Sequence, residues 1–125
     1  MTKFRLYFFG AFKLARPDGA EIRITSKKSI ALLAMLATAK DGRRMRPWLQ
    51  DMLWGAREIA QAQASLRREI SNLKGTLGAA QNLLTIEQER LTLNLALVEV
   101  DIRGQINEDQ APGEFLEGID IAGAE

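Results

Sequence analysis

The hydrophobic and polar positions of this chain first follow a period of two residues. Between residues 3 and 25 apolar side chains alternate with polar ones, and one side of the pattern consists of Phe4, Leu6, Phe8, Phe12 and Leu14. Such alternation predicts strands, and Pro17-Asp18-Gly19 supplies a turn before a third strand over residues 21–25. We therefore expect a small antiparallel sheet at the N-terminus.

Two helical segments follow this sheet. The sequence SKKSIALLAMLATAK opens with Ser26, a residue that caps helix N-termini, and its Ala, Leu and Met content favours a helix closed by Asp41-Gly42. A second helix over residues 47–54 begins with a proline at a favourable position and ends before Gly55. We expect its inward residues to be Leu49, Met52 and Leu53.

The longest periodic stretch is AQAQASLRREISNLKGTLG, residues 60–78. Its large apolar residues are spaced by four, three and four positions, which at about 100° per residue places on one stripe Leu66, Ile70, Leu73 and Leu77. The opposite side has no carboxylate and no large apolar side chain, and consists of Gln61, Ala64, Ser65, Arg68, Asn72 and Gly75. Amide, hydroxyl and guanidinium groups on a helix can hydrogen-bond base edges and phosphates in a major groove. An ordinary solvated helix face has the same pattern, so both interpretations stay open.

Two short β-prone runs after this helix predict a hairpin. They cover residues 83–87 and 90–94 and flank Gln88-Glu89, and LVEVD at residues 97–101 predicts one more short strand. A helix, a tight turn at residues 55–58 and a longer helix form a helix-turn-helix pattern. We predict an α+β fold: a winged helix-turn-helix with an N-terminal antiparallel sheet, three helices and a C-terminal β-hairpin wing.

Charge divides the chain into two parts. Residues 1–90 hold 16 Lys and Arg against 8 Asp and Glu, which gives +8, whereas residues 91–125 hold one Arg against eight acids, which gives −7; the sum is the net charge of +1. A basic body suits a polyanionic partner. We predict a winged-helix DNA-binding domain over residues 1–101, followed over residues 102–125 by an acidic linker and the start of a truncated C-terminal helical domain.

The composition argues against several classes of function. The chain has no His and no Cys, so it can form neither a zinc cluster of the usual ligands nor a Ser/His or Cys/His dyad. We expect no enzymatic activity, no metal site and no cofactor. There is no run of 18 apolar residues, and Lys13 and Arg16 interrupt the apolar N-terminal stretch, so we expect no membrane association, no export signal and a cytoplasmic location.

The order of these motifs resembles one family. With SKKSIALLAMLA, LQDMLWG, ASLRREISNLKGTLG, VEVD and GEFLEG in succession, the chain resembles the bacterial transcriptional activators of the antibiotic-regulatory-protein type. The resemblance implies an OmpR/PhoB-type winged helix followed by a bacterial transcriptional activation domain, with GEFLEG at its entry. It also implies sequence-specific binding of double-stranded DNA, with residues 60–78 in the major groove and the hairpin over residues 83–94 as the wing in a minor groove. The resemblance further implies that two copies bind repeated sites, as a dimer on DNA. It also implies contact with RNA polymerase and a role in signal transduction.

The candidate DNA contacts come from the helix face and from the resemblance. The base-facing candidates are Gln61, Ser65, Arg68, Glu69 and Asn72, of which Glu69 comes from the resemblance alone. The resemblance assigns to phosphates Arg67 and Lys74. Three further cations precede the second helix: Arg43, Arg44 and Arg46. They are candidate phosphate clamps, because the helix N-terminus adds backbone N–H donors beside them. Alternatively, they belong to a loop that only improves solubility. Arg90 on the hairpin is a candidate accessory contact.

A protein–protein interaction module in a signalling or transcription complex is the alternative to DNA binding. Such a module needs an exposed aromatic or large aliphatic anchor, and the predicted outer face of the third helix has none. Trp48 and Trp54 lie at helical positions beside leucines, which is typical of residues in or at the core.

Overall fold

A computed structural model describes residues 3–103, which form an α+β fold with three α-helices and two β-sheets. The strands are β1 (Phe4–Tyr7), β2 (Lys13–Ala15), β3 (Glu21–Ile22), β4 (Arg43–Met45), β5 (Leu84–Ile86), β6 (Arg90–Leu93) and β7 (Val98–Val100). The helices are α1 (Lys27–Thr38), α2 (Arg46–Trp54) and α3 (Ile59–Leu77), with 3₁₀ segments at Gly78–Leu83 and Asp101–Arg103. The predicted linker and second domain fall almost entirely on residues 104–125, outside the described residues, and the domain boundary stays a prediction.

The first sheet joins the two ends of the described chain. Its strand order is β3-β2-β1-β7, and the antiparallel β1–β2–β3 part confirms the N-terminal sheet predicted from the alternating pattern. The predicted strand near residues 97–101 is β7, which pairs with β1 in parallel and sets Val100 opposite Leu6. The sheet is therefore mixed, because the chain returns to it only after passing through all three helices.

The second sheet has the order β4-β6-β5, and its β5–β6 pair confirms the predicted hairpin. Strand β4 is a correction, since we considered its arginines as part of a loop. The RRMR sequence has no alternating apolar pattern, and β4 forms because the chain reverses at Gly42 and lies against β6. Gly42 has a φ of 75°, and a Cβ there would lie 2.6 Å from the carbonyl oxygen of Leu93, so the reversal requires glycine.

Helix α1 is the central element of the core. Ser26 caps it as predicted, since its side chain accepts a hydrogen bond from the backbone N–H of Ser29. Every residue over positions 29–37 is buried, and α1 contacts α2, α3 and β6. The predicted apolar stripe of α3 is confirmed, because its four large apolar residues are all buried. Burial of this stripe fixes which side of α3 faces outward.

Helix α2 buries a narrower face than we expected. Leu49, Leu53 and Trp54 are buried, which confirms the core position of Trp54, but Met52 is 49% exposed, so its predicted inward position is wrong. Met52 and Trp54 lie about 100° to opposite sides of Leu53, and because the core lies on the Trp54 side, Met52 turns toward solvent. Trp48 is 38% exposed and is therefore a surface residue rather than a core residue.

Candidate nucleic-acid interface

The outward side of α3 presents polar and cationic groups. Gln61, Arg68, Asn72 and Gly75 are exposed there, and Ala64 is half-buried between them. A Cβ on Gly75 would have no atom within 4 Å, so close packing does not explain this glycine. No carboxylate lies on this face, so no acid on the same face of α3 compensates the charge of Arg68.

Ser65 lies at the edge of this face rather than on it. Its side chain is buried, at 7% exposure, and its hydroxyl accepts a hydrogen bond of 2.7 Å from Nη1 of Arg57. Arg57 belongs to the short connection between α2 and α3 and reaches back over the second turn of α3. Its predicted role as a base contact stays a prediction, and in the structure a guanidinium group occupies its hydrogen-bonding side.

Glu69 also points away from the predicted base-facing side. Its Oε2 atom accepts hydrogen bonds from the hydroxyl groups of Ser26 at 2.6 Å and Ser29 at 2.5 Å. These serines form the first turn of α1 and its cap, so Glu69 joins the start of α1 to the middle of α3. Its assignment to bases stays a prediction, which in this geometry would require the carboxylate to leave both serines. The outward face of α3 lacks a carboxylate because the one acid of this helix is directed at α1.

The opposite edge of α3 faces the β5–β6 hairpin and is basic. Here a concavity of about 350 Å³ is lined by Arg46, Arg67, Ile70, Ser71, Lys74 and Ile86. Arg67 and Lys74, both predicted to contact phosphate, are exposed and lie on the same side of the helix. Three cations and no carboxylate surround this concavity, which gives it the electrostatic character of an anion-binding surface.

The three arginines before α2 have different environments. Arg43 is exposed on β4. Arg46 donates from Nε to the carbonyl oxygen of Glu87 at 2.9 Å, which holds its side chain against the hairpin beside the basic concavity. Arg44 donates from Nε to the carbonyl oxygen of Met35 at 2.9 Å, and its guanidinium lies 4.3 Å from the ring centre of Trp48. The side chain of Arg44 thus fastens β4 and α2 to the end of α1, and its phosphate assignment stays a prediction.

The positive charge of Arg90 on the hairpin is balanced by nearby acids. Arg90 forms an ion pair of 3.0 Å with Glu87, and both side chains are about two-fifths exposed. The turn between the strands adds Glu89, which lies near the start of α2, where its carbonyl oxygen accepts a hydrogen bond from the backbone N–H of Arg46. An exposed ion pair is weak, so Arg90 can exchange Glu87 for another anion, and its predicted role stays a prediction.

Two features of this region were missing from the sequence predictions. Arg57 was not among the candidate contacts, although its place in the turn before α3 could have indicated one. The side chains of Trp48, Met52 and Ile59 are exposed, at 38%, 49% and 76% respectively. Ile59 is the first residue of α3 and lies outside the predicted outer face, so it adds an exposed aliphatic side chain at the N-terminal end of this helix.

No family model and no curated protein sequence matches the chain. Within residues 3–103, no three His, Cys, Asp or Glu residues are grouped so that they could hold a metal ion. None of the helices in that range combines the length and apolarity that crossing a membrane requires.

Proposed function

We propose that this chain contains an OmpR/PhoB-type winged-helix domain of a bacterial transcriptional activator, which binds double-stranded DNA in a sequence-specific manner. The observation that carries the proposal is the exposed face of α3, where Gln61, Arg68 and Asn72 lie together without a carboxylate. In this proposal α3 lies in the major groove. Arginine there recognises guanine, and the amides of glutamine and asparagine recognise adenine.

The arrangement of elements supports this proposal. Helices α2 and α3 pack against each other and are joined by the short connection 55–58, as in a helix-turn-helix unit. The β5–β6 hairpin follows α3 after one 3₁₀ segment, in the position of a wing. With α1 as the third helix, these elements have the order of a winged helix. The fold is thus suited to holding α3 rigidly against DNA.

The basic concavity beside α3 supplies the phosphate contacts in this proposal. Arg67 and Lys74 border the base-facing side, and Arg46 closes the concavity toward the hairpin. Arg43 on β4 adds an exposed cation nearby in sequence. Contacts to phosphates fix the register of a protein on the duplex but carry no sequence information. We therefore assign affinity to this edge of α3 and specificity to its outward face.

The family resemblance adds proposals about the wider setting. It suggests that two copies bind direct repeats and that the DNA-bound protein contacts RNA polymerase. The composition adds the proposals of a cytoplasmic binding protein without enzymatic activity, metal or cofactor.

The phosphate assignment predicts a sequence-independent effect for Lys74→Ala. Removing one phosphate contact should flatten the slope of log K against log salt by about one unit, and it should weaken binding to every duplex alike. Titrating wild type and variant with one random duplex at several salt concentrations measures this slope. Lys13→Ala, an exposed lysine on β2, is the matched control and should leave the slope unchanged. An unchanged slope for Lys74→Ala, or a loss confined to one sequence, would contradict the assignment.

A second candidate function is a protein–protein interaction module. The observation in its favour is the exposed apolar side of α2, where Trp48 and Met52 lie one helical turn apart. Neither residue belongs to the outward face of α3, so the two functions use different surfaces. Replacing Trp48 and Met52 together with serine should leave duplex affinity intact if DNA binding depends on α3. Loss of duplex binding in that variant, with the fold retained, would contradict the separation of the two surfaces.

A further inference from the structure

Arg57 is fixed on α3 by a neutral partner. Its backbone N–H donates to the carbonyl oxygen of Trp54 at 3.0 Å, which anchors the residue at the end of α2. Its Nη1 atom donates to the Ser65 hydroxyl at 2.7 Å, so the side chain lies along the first turns of α3. Because a hydroxyl group carries no charge, this hydrogen bond positions the guanidinium and leaves its positive charge uncompensated by Ser65.

Three other arginines of the described chain are held differently. Arg5 and Arg90 each face a carboxylate, of Glu99 at 3.3 Å and of Glu87 at 3.0 Å. Arg44 is engaged with α1 and lies over an aromatic ring. Arg57 instead combines an exposed position with a defined orientation, so it can take up an anion without first breaking an ion pair with a carboxylate. Preorganisation of this kind lowers the entropic cost of binding.

Arg57 borders a concavity that faces the same way as Arg68. The concavity measures about 320 Å³ and is lined by Arg57, Gln61, Ala64, Ser65 and Arg68. Two guanidinium groups and one amide supply hydrogen-bond donors, and its lining contains no carboxylate. The small side chain of Ala64 leaves room between the donors. Gln61 and Arg68 belong to the proposed base-facing set, so the guanidinium of Arg57 is the donor left at the rim for a phosphate oxygen.

We propose that Arg57 is a phosphate clamp for the DNA backbone and that Ser65 is its positioning residue. The inference rests on the proposed DNA binding and adds a contact on the other edge of α3. Arg67 and Lys74 lie on the hairpin side of the helix, whereas Ser65 lies on the side that faces α1 together with Glu69. A helix in a major groove has phosphates along both of its edges, and Arg57 supplies a cation on the α1 side.

The test is binding of the full chain to duplex DNA by Arg57→Gln. Loss of one charged hydrogen-bonding contact should weaken binding about tenfold, for a selected site and for a random duplex alike. The slope of log K against log salt should flatten by about one unit. Arg16→Gln, at an exposed arginine in the β2–β3 turn, is the matched control and should change neither quantity.

Ser65→Ala separates a positioning role from direct base contact. In the wild-type background this change should weaken binding by a smaller factor than Arg57→Gln, since the guanidinium stays but loses its tether. In the Arg57→Gln background it should have no further effect, because nothing remains to be positioned. A sequence-dependent loss that persists in the double variant would instead make Ser65 a base contact and overturn the proposal.

The experiment distinguishes a failure of the proposed DNA binding from a failure of the Arg57 clamp. If the wild-type chain binds no duplex at any salt concentration, DNA binding itself is wrong. If wild type binds and Arg57→Gln keeps both its affinity and its salt slope, with the fold intact by circular dichroism, only the clamp is wrong. Arg57→Lys provides a last check: it keeps the charge but loses the fork geometry, so the salt slope should remain while affinity falls.

Discussion

Replacing Arg68 with alanine is expected to lower the affinity for the preferred DNA site by about 1 to 3 kcal/mol, roughly 5- to 150-fold. Arg68 lies at the centre of the outward face of α3, exposed and with no carboxylate on that face. A guanidinium in this place can donate two hydrogen bonds to guanine O6 and N7. Its loss should therefore relax specificity at one base position while the affinity for random duplexes falls much less.

The measurement for Arg68→Ala is a competition between the preferred site and its single-base variants. Arg23→Ala, at an exposed arginine beside β3, serves as the control and should leave the ranking of sites unchanged. Equal losses on all duplexes would make Arg68 a phosphate contact. If the affinity of Arg68→Ala falls on no duplex, Arg68 does not contact DNA, and the proposed base-reading face loses its central residue.

Replacing Asp101 with alanine is expected to lower the free energy of unfolding by about 2 to 4 kcal/mol. The side chain is 6% exposed, and its Oδ2 atom accepts hydrogen bonds from the backbone N–H groups of Phe8 at 2.8 Å and Phe9 at 2.9 Å. These bonds fix the chain directly after β1 to the segment directly after β7. Alanine would remove a charged acceptor shared by two amides in a largely buried place.

Two companion variants of Asp101 define the cause of that loss. Asp101→Asn keeps one side-chain oxygen that can accept from the two amides. Its loss in the free energy of unfolding should therefore be at most about half of the loss for Asp101→Ala. Asp18→Ala removes an exposed carboxylate that accepts one bond, from the N–H of Ala20, and should cost under about 1 kcal/mol. Urea unfolding of all three measures the differences. A loss for Asp101→Ala no larger than for Asp18→Ala would contradict the role assigned to the buried carboxylate.

The helices could be predicted from sequence because their signals are local. Ser26 caps α1, a proline opens α2, and the spacing of Leu66, Ile70, Leu73 and Leu77 fixes the inward side of α3. The same spacing located the outward face around Arg68. Each of these signals lies within one or two helical turns, so no knowledge of distant contacts was needed.

The strands that depend on distant partners were harder to predict. The arginines of β4 carry no strand pattern of their own, and β4 forms through pairing with β6, almost fifty positions later in the chain. Likewise β7 could be expected as a strand, but not its parallel pairing with β1. An alternating apolar and polar pattern predicts that a segment forms a strand. The packing of the helices decides which other strand pairs with it.

The contacts of side chains at the site were hard to predict for a similar reason. A helical projection gives the direction of Ser65 and Glu69 around α3, but not which group from another element meets them. Arg57 covers Ser65, and the first turn of α1 receives Glu69. Arg44 was assigned to phosphate because it precedes a helix, yet the neighbouring Trp48 and the end of α1 hold it. Side chains at the edges of a helix face are therefore the ones that sequence alone misplaces.

The most direct test of sequence-specific DNA binding is selection from random duplexes by the full chain, followed by a salt titration of the best site. We predict enrichment of one motif, present as a direct repeat, and a steep linear fall of log K with log salt. Bound two-copy complexes on that repeat would also give the spacing of the half-sites. Recovery of no motif, with only weak binding that ignores sequence, would contradict the proposed function and favour the exposed side of α2 as the working surface of this domain.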